Sequence, residues 1–233
     1  MPVLRLLSLP ALGLLLWLSW QLGLPLWSWL DEVVFWSLNA SIHEAAPLWV
    51  TFLAAINNRS FDLVIIAAML AIILWAIRRE GPGGWQRWGG ICVVMLLSAG
   101  LTNEILRNLI DVQRLSPTLL YPEANLVSEL VTFPTKDRSG NSFPGDHGVM
   151  SMIFAAFMLR FGGRPIRIAG LLLMLVASAP RVLVGAHWLS DLLVGSLAIV
   201  LLTQPWVLCS RLGPWAADGI AKGLTRISPR WLR

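Results

Sequence analysis

Long apolar runs recur along this chain, and they constrain its fold more than any other feature. They occupy 6–24, 48–56 continuing into 63–77, 90–106, 149–161, 168–184 and 189–208. Roughly 20 helical residues are needed to cross a hydrocarbon core of about 30 Å, so most runs approach a full span. Backbone polar groups within lipid must be satisfied internally, which makes helices the element such runs form. The expectation is an all-α, polytopic membrane protein: a bundle of six transmembrane helices, with 1–233 as a single integral membrane domain. The 149–161 run is short and needs 145–147 or Arg160 at an interface to complete its span. With 56% hydrophobic and 13% charged residues, the composition excludes an ordinary soluble domain.

Orientation follows from lysine and arginine. With the N-terminus inside, Arg5, Arg78, Arg79, Arg87, Arg160, Arg164, Arg167, Arg211, Lys222, Arg226, Arg230 and Arg233 fall on the inner side. Arg59, Arg107, Arg114, Lys136, Arg138 and Arg181 are left outside, a two-to-one bias in the direction the positive-inside rule expects. The net charge of +5 is thus a topology signal, and nucleic acid is not an expected partner. The first run follows a lone Arg5, contains Trp17 and Trp20, and lacks a small-x-small cleavage site, so it reads as an uncleaved helix. Cys92 and Cys209 have no histidine nearby and read as small buried apolar side chains, not metal ligands.

Residues 25–47 alternate apolar and polar positions at helical spacing and suggest an amphipathic segment in the outer interface. The longest polar stretch, 111–141, is long enough to suggest a substrate-binding or lid element. The basic tail after Cys209 reads as a membrane-surface anchor.

Charges beside lipid are expensive and normally mark function. Arg107 and Arg114 are seven apart, so a continuous helix would place both on one face, and guanidinium forks suit phosphate oxygens. His147 follows Pro144-Gly145-Asp146 at the entry to an apolar run, where free helix N–H groups can bind an anion and an imidazole can protonate a leaving oxygen. His187 and Asp191 are at i and i+4, one helical turn apart, so the carboxylate can accept one ring N–H and free the other nitrogen for attack. Gly185-Ala186 suggests a break that lets Arg181 curl back toward them.

Taken together, Arg107-x6-Arg114, Pro144-x-x-His147 and Arg181-x5-His187-x3-Asp191 resemble the three-part signature of the type 2 phosphatidic acid phosphatase superfamily. That signature reads K-x6-R-P, P-S-G-H and S-R-x5-H-x3-D, and the matching motifs lie within 100–195. The resemblance implies a six-helix bundle, no metal or other cofactor, and a phosphohistidine intermediate. It makes His187 the nucleophile, Asp191 its orienting acid and His147 the general acid, with Arg107, Arg114 and Arg181 holding phosphoryl oxygens.

The chain departs from the signature at Arg107, Leu115 and Pro180, and replaces Ser-Gly by Gly145-Asp146. With the blocks at 57–62, 114–119, 127–130 and 134–137, these departures resemble the lipid A phosphotransferase branch of Gram-negative inner membranes. That branch implies undecaprenyl pyrophosphate as donor, lipid A as acceptor, membrane lipids as surroundings, a periplasmic site and cytoplasmic termini. Gly145, Asp146, Asn58, Arg59, Lys136 and Arg138 are then candidates for tuning the site or contacting the acceptor. Asp146 either holds His147 protonated or caps its helix. Two other readings remain: a lipid phosphate or undecaprenyl pyrophosphate phosphatase, and a non-enzymatic transporter or scaffold.

Overall fold

The computed structural model describes residues 2–227; the side chains of residues 2, 3 and 107 lie outside the description, as do the tail charges Arg230 and Arg233. Among the described residues the chain is helical and has no strand. Its helices are α1 (Pro2–Gln21), α2 (Pro25–Asn39), α3 (Pro47–Ile56), α4 (Arg59–Glu80), α5 (Gly84–Leu109), α6 (Pro117–Leu120), α7 (Val127–Leu130), α8 (Asp146–Phe161), α9 (Arg164–Leu183), α10 (Ala198–Leu208) and α11 (Leu212–Ile227). A π-helical segment, Asp191–Leu197, runs directly into α10.

Among the described residues five stretches are long and apolar enough to cross a membrane: Leu4–Gln21, Arg59–Glu80, Gly84–Leu106, Arg164–Leu183 and Asp191–Leu208. The sixth expected helix, α8, has 16 residues and is enclosed by the others, with Val149, Ile153, Phe154 and Phe157 in the core. Burial separates the lipid-facing helices from the inner ones. Only 6% of the α4 span is buried, against 61% of the span that includes the π segment and α10. Leu63, Leu70 and Leu74 on α4 therefore face outward, as lipid contact requires.

The apolar run from 48 to 77 is divided at Asn57-Asn58. Asn58 caps α4 by accepting the Ser60 N–H at 2.8 Å, and its amide donates to the Pro134 carbonyl at 2.6 Å. Thr135 Oγ1 donates to Ala54 O and Lys136 N–H to Asn57 O, so the 134–136 loop is stitched to the α3–α4 junction.

Helix α2 is amphipathic, as its sequence suggests. Its buried positions, Trp27, Asp31, Phe35 and Asn39, recur every fourth residue. Asn39 exchanges hydrogen bonds with Asn125, and Phe35 packs on Trp188 and Tyr121. The segment therefore docks on protein along one face and exposes Leu26, Trp29 and Val33 on the other. The tail also differs from a simple surface anchor. α11 packs along α5, where a side chain at Gly90 would collide with the Ala217 carbonyl. Small residues let the two backbones approach that closely.

Candidate active site

The sequence spacing of His187 and Asp191 suggests one turn of a helix, but His187 lies outside it. α9 ends at Leu183, Gly185 adopts a positive φ of 77°, and the following helix begins after Trp188. The Ala186 and His187 N–H groups both donate back to the Arg181 carbonyl, so the chain folds over the end of α9 as the Gly185-Ala186 break foretold. His187 Nδ1 then donates to the Ser142 carbonyl at 2.7 Å, while Asp191 Oδ2 is 3.6 Å away. A carbonyl only accepts, so this contact fixes the Nδ1–H tautomer and leaves the Nε2 lone pair for attack. Among the described residues Nε2 has no partner.

Asp191 is fully buried. Its Oδ2 accepts the Trp188 N–H at 2.8 Å and its Oδ1 meets Arg114 at 2.7 Å. Arg114 also reaches Ser190 Oγ and, through its other terminal nitrogen, Asp31 at 2.7 Å. Asp31 is 2% exposed and accepts both the N–H and the hydroxyl of Ser190. Both terminal nitrogens of Arg114 are thus committed to carboxylates. It is held as a strut between α2 and the start of the π segment.

Arg107 and Arg114 do not share a continuous helix. α5 ends at Leu109, and 110–116 runs without helical structure. Ser142 N–H donates to the Arg114 carbonyl at 2.7 Å and Ser116 N–H to Ser139 O at 3.0 Å. These bonds to the 139–142 loop replace the helical ladder the sequence suggested. The Arg107 side chain lies outside the described residues.

The loop that supplies the Ser142 carbonyl continues into α8, which carries His147 in its first turn. A side chain at Gly148 would collide with Ser196 Oγ, and Ser196 donates to the Gly145 carbonyl at 2.8 Å. The N-terminus of α8 is therefore pressed against the π segment. His147 Nε2 lies 3.1 Å from Asp62 Oδ1, and Arg181 Nη2 is 3.3 Å from the same oxygen. Arg181 is 6% exposed, and its Nη1 is buried with no hydrogen-bond partner among the described residues. Burial and the Arg181 charge lower the His147 pKa, Asp62 opposes them, and His187 adds a smaller lowering effect.

A cavity of about 710 Å³ opens beside these groups, lined by Asn58, Arg59, Ser60, Asp62, Pro134, Thr135, Lys136, His147 and Arg181. Three of its lining residues are permanent cations and one is an acid, a balance that suits an anion. A second, mainly apolar cleft of about 280 Å³ shares Asp62 and His147 and is lined by Ile65, Ile66, Met69 and Met150. His147 thus stands between a cationic chamber and an apolar one.

The sequence-selected residues divide accordingly. His147, Arg181, Asn58, Arg59 and Lys136 meet at the larger cavity, while His187, Asp191 and Arg114 form the adjoining network. Gly145 lies against the second group: a Cβ there would lie 3.7 Å from His187 Nδ1. Asp146 is exposed, and the carboxylate on His147 comes instead from Asp62. Arg138 pairs with Glu129 at 3.3 Å and does not line the cavity. The motif spacing does not single out Asp62 or Asp31. The available signals were an acid in the first turn of a long apolar helix and an acid within a fourfold-spaced stripe.

Residues 88–212 match the PAP2 superfamily. The chain belongs to that superfamily, the one its motifs resemble. It is also 42% identical over 203 residues to the lipid A 1-diphosphate synthase of Escherichia coli strain K12, covering 86% of this chain and 85% of that protein. No solved structure matches it.

Proposed function

We propose that this protein is a membrane phosphotransferase that moves the terminal phosphoryl group of undecaprenyl pyrophosphate onto a phosphate of lipid A. The observation that carries the reading is the His187 ring, fixed through Nδ1 by Ser142 with Nε2 unpartnered among the described residues, in a turn whose N–H groups bond to the carbonyl of Arg181, which lines the cationic cavity with His147. The relative's name supports lipid A as the acceptor. The apolar cleft beside His147 supports a lipid donor, because a departing prenyl phosphate would leave on that side.

In this mechanism His187 Nε2 attacks the terminal phosphorus, and the bond from phosphorus to the bridging oxygen breaks. His147 gives that oxygen its proton, and undecaprenyl phosphate departs. A lipid A phosphate oxygen then attacks the phosphohistidine, the P–N bond breaks, and its electron pair returns to His187. His147 takes up whatever proton the acceptor carries. Arg181, with Nη1 available, holds a phosphoryl oxygen, a role the family signature also assigns to Arg107. Arg114, tethered by Asp31 and Asp191, contributes through the acid that faces His187. Arg59, Lys136 and Asn58 receive the acceptor's anionic head.

The whole chain acts as one domain in a Gram-negative inner membrane. The basic ends of its helices face the cytoplasm and its site faces the periplasm. Purified protein given labelled undecaprenyl pyrophosphate and lipid A should form lipid A diphosphate; release of free phosphate alone would defeat the reading. That outcome would favour a phosphatase, for which the 39% exposure of the His147 side chain provides access for water. Water is the competing nucleophile, so its exclusion when lipid A binds decides between transfer and hydrolysis.

A further inference from the structure

We propose that Asp62 is the positioning residue of the acid histidine: it holds His147 as the Nε2–H tautomer, so that Nδ1 is the nitrogen that exchanges the catalytic proton. The inference rests on His147 acting as the acid, as set out above. A carboxylate only accepts hydrogen bonds, so the 3.1 Å contact places the hydrogen on Nε2. Arg181 Nη2, 3.4 Å from Nε2, then shares the same Asp62 oxygen instead of donating to the ring. Among the described residues Nδ1 has no partner. The site thus contains two imidazoles fixed in opposite tautomers. Ser142 holds Nδ1–H on His187 and frees Nε2; Asp62 holds Nε2–H on His147 and frees Nδ1.

Asp62 is well placed for this role. It sits in the first turn of α4, which the Asn58 cap and the 134–136 loop anchor in place. The charged groups around His147 come from several elements: Asp62 and Arg59 from α4, Arg181 from α9, Lys136 from the loop, Asp146 from α8 and His187 from the turn after α9. Of the two acids, Asp62 alone contacts the imidazole. During the reaction the Nδ1 proton passes to the leaving oxygen. The ring becomes neutral, Nε2–H stays on Asp62, and the carboxylate keeps its charge throughout.

The test uses full-length protein carrying ¹⁵N-labelled histidine in detergent micelles. The chain has three histidines, so loss of one set of signals in His147→Gln assigns the ring. Wild type should show His147 as the Nε2–H tautomer, and Asp62→Asn should move its titration to lower pH. The alkaline limb of the rate profile should move with it, with kcat falling on the order of tenfold at neutral pH and KM within about twofold. Asp62→Glu should restore much of the titration, which separates the charge from packing. An Nδ1–H tautomer in wild type, or an Asp62→Asn ring that titrates as in wild type, would overturn the proposal. The spectrum reads the ring without any acceptor lipid. Failure to make lipid A diphosphate would therefore defeat the transferase reading and leave this one standing.

Discussion

At the scale of single residues, the proposed mechanism depends on which nitrogen each imidazole presents. His187→Ala should abolish turnover by about 10³-fold or more and prevent labelling of the protein by a ³²P donor, because the P–N bond cannot form. A residual phosphoprotein would count against the nucleophile assignment. His147 gives a pH prediction whose sign follows from its surroundings. Burial and Arg181 lower its pKa, so in the empty enzyme the acid form is lost at lower pH than for an ordinary histidine. A bound phosphoryl group favours the charged ring and restores the proton. The alkaline limb of kcat/KM, which reports free enzyme, should therefore lie at lower pH than the limb of kcat. Coincident limbs would contradict this. The motif spacing made both histidines, Asp191 and Arg181 legible. It could not reveal Asp62, which is 85 residues from His147 in sequence and which helix-end electrostatics alone would also explain.

At the scale of elements, local rules failed where long-range contacts took over. Periodicity made 189–208 look like a plain helix, yet Ser196 Oγ donates to the Gly145 and Asp191 carbonyls and the backbone opens into π geometry. Such bulges are frequent at functional sites. The α5 ladder stops at Leu109 because the next segment finds its partners in the 139–142 loop, a pairing no local pattern announces. The fourfold stripe of α2 was readable, but the acid within it becomes meaningful only beside Arg114 and Ser190. Replacing Asp31 with Ala would leave Arg114 Nη2 and the Ser190 N–H without their acceptor, while Arg114 Nη1 keeps Asp191. Leaving these donors unsatisfied should cost about 1–3 kcal/mol, visible as a lowered melting temperature in detergent along with lost activity. An unchanged melting temperature would show that α2 is not held by this contact. Gly148→Ala should push α8 from the π segment and reduce kcat with little loss of secondary structure, checked by turnover and circular dichroism.

At the scale of the molecule, the hydropathy runs made the membrane helices legible because lipid permits so few alternatives. Helix polarity then sorts the ends. The N-termini of α4 and α8 and the C-terminus of α9 meet at the site, while Arg87 bonds to the Phe161 carbonyl and Arg160 to the Leu208 carbonyl at the far end. With Cys92 and Cys209 replaced, a cysteine at position 136 should react with an impermeant thiol reagent in intact cells, and one at 164 should not. The reverse pattern would invert the orientation. The packing of α11 along α5 was less legible, since Gly89-Gly90 and Ala216-Ala217 read as neutral until the two backbones are seen in contact.

The segment that matches the superfamily starts at residue 88, yet Asp31 and Asp62 both precede it. A transplant of 88–212 into another scaffold would carry the proposed reacting groups but not the two anions, Asp31 and Asp62, that contact Arg114 and His147. Chimeras between relatives should therefore be joined upstream of α2, so that each imidazole travels with the carboxylate network that sets its chemistry.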